Sequence, residues 1–432
     1  MKRGRIIAIS LLLVAGLAWA IYAASISLRA DALRQSVNEA CQKFDFASAH
    51  ERLAAYLQLR PKEAQSYLLA AQCARRAEFV ESFRGPHAEL RQMAATDLAA
   101  AKRLNAEPSA VDLERLLQGV QHGQLADSER PLIERVKRSG PEAPLILEAL
   151  IHGLLQNLQC EKALVCVEAL LKLEPANVHA FLWRGRIREQ TRQLRSARED
   201  YERAVQLVPD FDAARYYLAE NLLRANRLSD AEHHLQILNS RAGDNLLIRL
   251  AWAKCRIALG DDQIGRELLD TWLADAPRDH PRLLEALTAR ASLALSQGRP
   301  AEAEEFVRRA LKESPQDRYA LYHLAQSLNA QGRREEAQAI EKQLDQIKKD
   351  LQIVARCRER LAQDPANLQL RHEIGAAYLR VGRPGEALVW LNSVLDRDPN
   401  HLPTLHTLAE FHAKTRSQPS ATQPRQSMAV GP

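Results

Sequence analysis

The cysteines are the first residues in this sequence whose type and spacing could support chemistry. The chain has six, and two of them, Cys160 and Cys166, lie six residues apart in or next to one predicted helix. A helix separates such residues by about 9 Å and turns them to nearly opposite sides, beyond the roughly 7 Å reach of a disulfide. Cys41 and Cys73, in the first helices of two successive predicted repeats, are the one pair that we consider for a bridge. Packing as small buried residues is the favoured alternative, and without a C-x-x-C motif no redox or zinc site is predicted.

The histidines and acidic residues do not form a recognisable catalytic or metal-binding pattern. There are thirteen histidines, but His233 and His234 are adjacent and His406 and His412 are six residues apart. Ligands on one helical face need a spacing of three or four. Motifs for phosphate, dinucleotide, nucleophilic-serine and zinc-protease sites are absent from the sequence. We therefore predict no catalytic residue, no cofactor, no metal and no enzymatic activity.

The net charge lies at the two ends of the chain. The formal charge is +6, of which four basic residues fall in residues 1–29 and two in the tail, at Arg416 and Arg425. Residues 30–414 are therefore neutral. A nucleic-acid-binding surface needs a basic field over the body of the protein. The charge distribution accordingly predicts no nucleic-acid partner.

An uncharged apolar segment near the amino end predicts export. Residues 1–5 are basic, and the 19 residues from Ile6 to Ala24 carry no charge. That length is enough to cross a membrane as a helix, and the charges before it predict a cytoplasmic amino end with the body exported. The alternative is a cleaved signal sequence, because Ala18-Trp19-Ala20 matches a cleavage site and would release a secreted or periplasmic protein. The favoured prediction is a single-pass transmembrane helix, because the apolar run continues past Ala20.

The elements that must position all other residues repeat with a period of 34 residues. Small residues recur at position 20 of the repeat, where two helices would cross closely, and proline recurs at position 32, where the second helix must stop. Gly260, Gly298, Gly332 and Gly382 fall at position 15, in the turn between paired helices. The predicted repeats start at Ala30, Ala64, Ala110, Pro144, Val178, Asp212, Leu246, Leu284, Arg318 and Leu368.

This pattern of small residues, prolines and a 34-residue period resembles the tetratricopeptide repeat. The resemblance implies an all-α fold, a right-handed α-solenoid of about ten helix-turn-helix repeats over residues 30–414. Insertions are expected near residues 79–95 and 350–364, the second as an extension of one long helix to Pro365. A capping helix is expected over residues 402–414, followed by a disordered tail over 415–432.

In the resembled family the first helix of each pair lines a concave groove. The matching positions combine aromatic anchors with residues that could fix the register of a bound peptide segment or helix. Tyr216, Tyr319 and Tyr322 are the expected anchors. The full set of predicted partner-binding residues is His179, Arg186, Glu189, Tyr216, Glu220, Lys254, Tyr319, Tyr322, Gln326 and Asn329.

Two functions remain open at this point. The first is a non-catalytic, membrane-anchored scaffold of a bacterial envelope, which binds peptide segments or helices of other proteins in its groove. The alternative is an accessory or regulatory subunit of an envelope enzyme or of a secretion or polysaccharide assembly complex. In that case the long helix ending near Pro365, or the insertion near residues 79–95, would dock the enzyme. The oligomeric state is left unassigned.

Overall fold

A computed structural model describes residues 2–80, 88–138 and 140–417, without the side chains of residues 2–18, 80, 126, 416 and 417. Within these ranges all regular elements are helical, which confirms the predicted all-α class. The chain divides into two compact units, residues 1–214 and 215–432, and helix α11 (Asp212–Arg224) crosses the division.

In its described residues, unit 1 contains ten helices before α11 and a short 3-10 turn at Ala126–Ser128. They are α1 (Lys2–Gln42), α2 (Phe46–Leu59), α3 (Ala64–Val80), α4 (Ala88–Arg103), α5 (Pro108–Gln121), α6 (Glu129–Lys137), α7 (Ala143–Gln156), α8 (Cys160–Leu173), α9 (Val178–Gln190) and α10 (Leu194–Leu207).

Unit 2 consists of another helical series after α11. These helices are α12 (Leu228–Ala242), α13 (Leu246–Ala258), α14 (Asp262–Asp275), α15 (Leu283–Ser296), α16 (Pro300–Glu313), α17 (Arg318–Ala330), α18 (Arg334–Gln363), α19 (Leu368–Arg380), α20 (Pro384–Leu395) and α21 (Leu402–Ser417). As in unit 1, consecutive helices pack on one another, as expected of a solenoid built from helical pairs.

The helix boundaries confirm the phase of the repeat. Six helices begin at the position that the sequence assigns as the first of a repeat, namely Ala64, Val178, Asp212, Leu246, Arg318 and Leu368. The alanines predicted at position 20 of their repeats are fully buried, including Ala163, Ala197 and Ala303. Where glycine replaces alanine there, at Gly265, an added Cβ would lie 2.3 Å from Ile257 Cγ1. The small residue is therefore required by the close approach of the two helices.

In most of the helical pairs, the turn adopts the left-handed backbone conformation predicted for position 15. Gly260, for example, has a φ of +92°. In unit 1 the same position is occupied by Phe44, Leu158 and Arg192, with φ between 56° and 62°. For a residue other than glycine this conformation costs about 1–2 kcal/mol. The turns of unit 1 are therefore strained at this position, whereas those of unit 2 mostly have glycine there.

The chain leaves the regular period at α18, which is a single helix of 30 residues. From Leu344 onward its buried residues recur every three or four positions and pack with those of α19. The inserted part of the helix is therefore packed into unit 2. The buried residues of this helix are Ala337, Leu344, Ile347, Asp350, Val354, Cys357 and Leu361. The other predicted insertion, near residues 79–95, includes 81–87, which lie outside the described residues.

Helix α1 runs without a break from Lys2 into the first repeat. In the part of the chain that the structure describes, no helix is long and apolar enough to cross a membrane. The side chains of residues 6–18, most of the predicted span, lie outside that part. At the other end, α21 continues to Ser417, whereas the sequence placed the end of the capping helix at residue 414. Residues 418–432 of the predicted tail are not among those described.

Candidate partner-binding surface

Helix α17 in unit 2 presents four of the predicted binding residues on one side. Asp317 caps the start of the helix, because its side-chain oxygen accepts a hydrogen bond from the Ala320 amide at 2.8 Å. Buried Leu321, Leu324 and Leu328 hold it against its neighbours. Tyr319, Tyr322, Gln326 and Asn329 lie on the exposed side, which we call the α17 face.

The two tyrosines of the α17 face remain accessible and are held in place by polar neighbours. Tyr319 is 54% exposed and Tyr322 is 51% exposed. The Arg318 guanidinium lies 4.7 Å from the centre of the Tyr319 ring and donates a hydrogen bond of 2.7 Å to its hydroxyl. Gln326 Nε2 donates to the Tyr322 hydroxyl at 2.9 Å. The rings are therefore positioned in advance, which lowers the entropy lost when an apolar group packs on them.

Asn329 extends the α17 face toward α18. Its side-chain amide donates a hydrogen bond of 3.2 Å to Glu341 Oε1. Tyrosine rings next to amide and guanidinium groups can cover an apolar side chain and also hydrogen-bond to a peptide backbone. This arrangement suits an extended or helical protein segment.

The other predicted residues of unit 2 belong to a partly buried polar cluster instead. Lys254 Nζ lies 3.2 Å from Glu220 Oε1 and 2.7 Å from Glu285 Oε1. Arg282 Nη1 lies 2.6 Å from Glu285 Oε2. These four residues, which we call the Lys254 network, neutralise one another within unit 2. Tyr216 is buried beside them, at 3% exposure.

The pKa values in the Lys254 network follow from burial and from its paired charges. Burial opposes ionisation of Glu285, but attraction by Lys254 and Arg282 outweighs it and lowers the pKa of this carboxyl to about 2. Burial, followed by the nearby Glu220 carboxylate, raises the pKa of Tyr216 well above its usual value. Glu285 is thus ionised and Tyr216 neutral near pH 7. This is the stable charge state of a closed ion-pair cluster.

Sequence reasoning did not identify Arg282 and Glu285. Glu285 is the second residue of the repeat that starts at Leu284, so its repeat position could have identified it as a residue on the inner side of its helix. Arg282 follows the four-residue shift of register after Pro277, and its role depends on the three-dimensional packing of that segment. The burial of Tyr216 and Glu220 makes them packing residues in this structure, and their contact with a partner stays a prediction.

In unit 1, His179 is covered by aromatic side chains. Its ring centre lies 5.3 Å from that of Phe46, 5.8 Å from those of Phe44 and Trp183, and 5.2 Å from that of Phe211. We call these five residues the His179 cluster. Burial, followed by the nearby Arg76 charge, lowers the pKa of His179 to about 3. The imidazole is therefore neutral at physiological pH and packs as an aromatic ring.

The His179 cluster brings distant repeats together. Phe44 and Phe46 belong to the α1–α2 corner, whereas His179 and Trp183 lie on α9. In a regular solenoid each repeat contacts its neighbours, so the 34-residue period does not predict this contact. The corner occupies the inner side of α9, where the sequence predicted a binding groove. Arg186 and Glu189, the other predicted residues of α9, are half-buried.

Two ion pairs are largely buried in unit 1. Arg76 donates two hydrogen bonds of 2.7 Å to the Glu148 carboxylate, and its guanidinium lies 3.6 Å from the centre of the Phe46 ring. The neighbouring Arg75 donates to Glu114 Oε1 at 2.6 Å, and both side chains are 1% exposed. Because these charges are already paired within the protein, they are poorly suited to bind a ligand.

No metal-binding group is found among the described residues. Within them, no cluster of three or more histidine, cysteine, aspartate or glutamate side chains could hold a metal ion.

Comparisons with known proteins find tetratricopeptide repeats in two parts of the chain. The family model described as tetratricopeptide repeat matches residues 189–245 and 294–356. Among curated proteins, the chain is similar to the mouse protein O-mannosyl-transferase TMTC1, with 31% identity over 144 residues. That alignment covers 31% of this chain and 14% of the mouse protein, so the chain spans only a small part of this relative.

Several solved structures are similar to parts of this chain at low identity. PilW, described as a type IV pilus biogenesis factor, is 18% identical with a TM-score of 0.42, covering 54% of this chain and 98% of PilW. YrrB, described as a protein with an unusual peptide-binding site, is 15% identical with a TM-score of 0.35, covering 44% and 96%. Human IFIT1 with m7Gppp-AAAA is 16% identical with a TM-score of 0.43, covering 76% and 90%.

Proposed function

We propose that this chain, a tetratricopeptide-repeat protein, is a non-catalytic scaffold that binds a segment of a partner protein on the α17 face. The observation that carries the proposal is the pair of exposed, pre-positioned tyrosines, Tyr319 and Tyr322, on the first helix of a repeat. The other predicted anchor, Tyr216, is buried. The α17 face is thus the most exposed part of the predicted set of binding residues.

The chemistry of the α17 face favours an apolar side chain with backbone polar groups on either side. The two tyrosine rings supply apolar area at low entropic loss, since each has only two rotatable side-chain bonds. Gln326 and Asn329 add amide donors and acceptors, and Arg318 adds a positive charge at the amino end of the helix. A peptide segment with an apolar anchor and an acidic neighbour fits these groups.

Site-specific photo-crosslinking in cells tests this function. A photoreactive phenylalanine analogue at position 322 of the full chain should form covalent adducts with a partner protein. The same analogue at Val165, which is 66% exposed on α8, serves as the control and should not. Adducts that disappear on nuclease treatment, or equal adducts at both positions, would contradict a protein partner on the α17 face.

A double substitution then tests the two rings directly. Tyr319→Ala with Tyr322→Ala should lower the affinity for the crosslinked partner by about 1–4 kcal/mol, as interface anchors do. Because both rings are about half exposed, the melting temperature should stay nearly unchanged. The matched control replaces Val165 and Leu173, exposed apolar residues of α8, with alanine. Unchanged affinity in the tyrosine variant would refute the proposal.

We also propose that the scaffold is exported and held at a membrane by Ile6–Ala24. The segment has no charge, and basic residues precede it. Trp19, Ile21 and Tyr22, at its carboxyl end, are 72%, 62% and 64% exposed, and aromatic residues at such positions suit the membrane–water interface. A periplasm-dependent reporter fused after residue 60 should be active. An inactive reporter would contradict export, and a mature chain beginning at Ile21 would select the cleaved signal sequence.

The second candidate function is that of an accessory subunit of an envelope enzyme, and the length of α18 favours it. A helix of 30 residues provides a long outer side for docking. Deletion of residues 350–364 is not a clean test, because Val354, Cys357 and Leu361 are buried in unit 2. Charge reversal of the exposed Lys348 and Lys349 leaves that packing intact. Loss of the partner in that variant but not in the tyrosine double variant would favour the accessory role. Because the alignment covers 14% of the mouse transferase, its activity is not transferred to this chain.

A further inference from the structure

The first two repeats of unit 1 place two cysteines against each other. Cys41 lies near the end of α1 and Cys73 in α3, and their Sγ atoms are 4.0 Å apart. A disulfide needs a separation of about 2.05 Å, so the sulfurs must approach by about 2 Å. The pair is the one that the helix positions suggested, but the sequence favoured inert packing. We propose that Cys41 and Cys73 form a redox-active dithiol that is oxidised to an intramolecular disulfide by thiol–disulfide exchange with a small-molecule disulfide.

The surroundings of the two sulfurs differ in a way that assigns their roles. Cys41 is partly exposed, whereas Cys73 is 1% exposed. The hydrogen bond from Cys73 lowers the pKa of Cys41 to about 7, with the Arg76 charge contributing in the same direction. The same hydrogen bond, together with burial, raises the pKa of Cys73 well above its usual value. Cys41 therefore carries the thiolate that solvent can reach, and Cys73 retains its proton.

The other four cysteines have different surroundings. Burial raises the pKa of Cys166 and of Cys255 to about 11. Cys357 is buried and donates to Glu373 Oε2 at 3.3 Å, and Cys160 donates to Gln190 Oε1 at 3.1 Å. Thiolate character and exposure control the rate of exchange, so Cys41 should react first.

The exchange proceeds in two balanced steps. The Cys41 thiolate attacks one sulfur of the small disulfide, such as oxidised glutathione, whose S–S bond breaks and releases one glutathione thiolate. The sulfur of Cys73 then attacks Cys41 Sγ, and the second glutathione leaves as a thiol that takes up the proton of Cys73. The protein loses two electrons and two protons, and the small disulfide is reduced to two thiols.

The bridge would join α1 to α3 beside the α1–α2 corner. Cys41, Cys73, Phe44 and Phe46 belong to one core cluster of unit 1, and Arg76, whose guanidinium lies over the Phe46 ring, is also close to both sulfurs. Oxidation would therefore tie the first two repeats together at the base of the His179 cluster. In an exported protein, which we propose above, such a bond is compatible with the compartment.

The test uses the full chain in detergent, equilibrated with an excess of oxidised glutathione and quenched with acid. Unreacted thiols are alkylated after denaturation, and the peptides are mapped by mass spectrometry. The wild type should lose two of its six alkylatable thiols and yield a linked peptide containing Cys41 and Cys73. A chain that keeps all six thiols, or that stops at a stable glutathione adduct on Cys41, would overturn the proposal.

Two single substitutions separate attack from resolution. Cys73→Ser should accumulate a glutathione adduct on Cys41, because the second step lacks its nucleophile. Cys41→Ser should form neither adduct nor bridge in the native state, because the remaining Cys73 is buried. Cys160→Ser is the matched control and should still form the bridge. A linked peptide containing any other cysteine pair counts against the proposal, and the wild-type map decides it even where a variant does not fold.

Discussion

The His179 cluster of unit 1 and the α17 face of unit 2 show opposite outcomes at matching repeat positions. His179 and Tyr319 are both the second residue of a repeat, yet His179 is 2% exposed and Tyr319 is 54% exposed. Tyr216 and Tyr322 are both the fifth, and their exposures are 3% and 51%. The repeat position brings a side chain to the inner side of its helix. Whether that side chain packs or faces solvent depends on which other segment of the same unit covers it.

The largest expected effect comes from opening the buried ion pairs of unit 1. Glu114→Ala leaves the 1% exposed Arg75 without its carboxylate partner. Breaking a buried pair in this way should lower the free energy of unfolding by about 3–5 kcal/mol, measured by denaturant titration. Glu134→Ala, which removes the exposed pair with Lys137, is the control and should leave the transition unchanged. A similar small effect for both variants would mean that the inner side of unit 1 is open to water.

The next largest effect on stability is expected from replacing tyrosines at the same position in two repeats. Tyr216→Ala should lower the free energy of unfolding by about 3 kcal/mol, because it leaves a cavity beside the Lys254 network. Tyr322→Ala should change it little, since half of that side chain is exposed. Thermal and denaturant unfolding of the two variants, side by side, check this order. Equal stability of the variants would show that Tyr216 is a surface residue, as the sequence prediction required.

The Lys254 network should add to the acid sensitivity of unit 2. The folded pKa of Glu285 is depressed from its ordinary 4.5 to about 2, so its stabilisation is complete above pH 4.5 and is lost as the pH falls toward 2. Between pH 7 and pH 3 this loss amounts to about 1–2 kcal/mol once partial exposure is allowed for. Glu285→Gln should reduce the difference in unfolding free energy between these two pH values by that amount. An unchanged difference would argue against the pairing with Lys254 and Arg282.

The smallest expected effect on stability comes from the turns of unit 1, where residues other than glycine adopt a left-handed backbone conformation. Arg192→Gly should raise the free energy of unfolding by about 0.5–1 kcal/mol, since relief of the strained backbone slightly exceeds the entropy that glycine adds to the unfolded chain. Gly260→Ala in unit 2 is the reverse experiment and should lower it by about 1 kcal/mol. If both substitutions lowered the free energy of unfolding, the contacts of the Arg192 side chain would stabilise the fold by more than the backbone strain destabilises it.

The sequence by itself determined the helical class, the phase of the repeats and the residues at their tightest points. Ala163 and Ala197 are buried at position 20 and Gly260 is left-handed at position 15, because these requirements arise within one pair of consecutive helices. Local periodicity carries such information. The predicted α17 residues could be named for the same reason, since their repeat position brings them to the inner side of a helix.

Only the tertiary structure decided which of those inner residues are covered. Phe46 meets His179, and Arg76 meets Glu148, across separations that the 34-residue period does not encode. The pairing of Lys254 with both Glu220 and Glu285, and the 4.0 Å approach of Cys41 to Cys73, likewise depend on how adjacent helices rotate about their axes. A one-dimensional pattern specifies which side of a helix faces inward, but burial and charge pairing are properties of several helices at once.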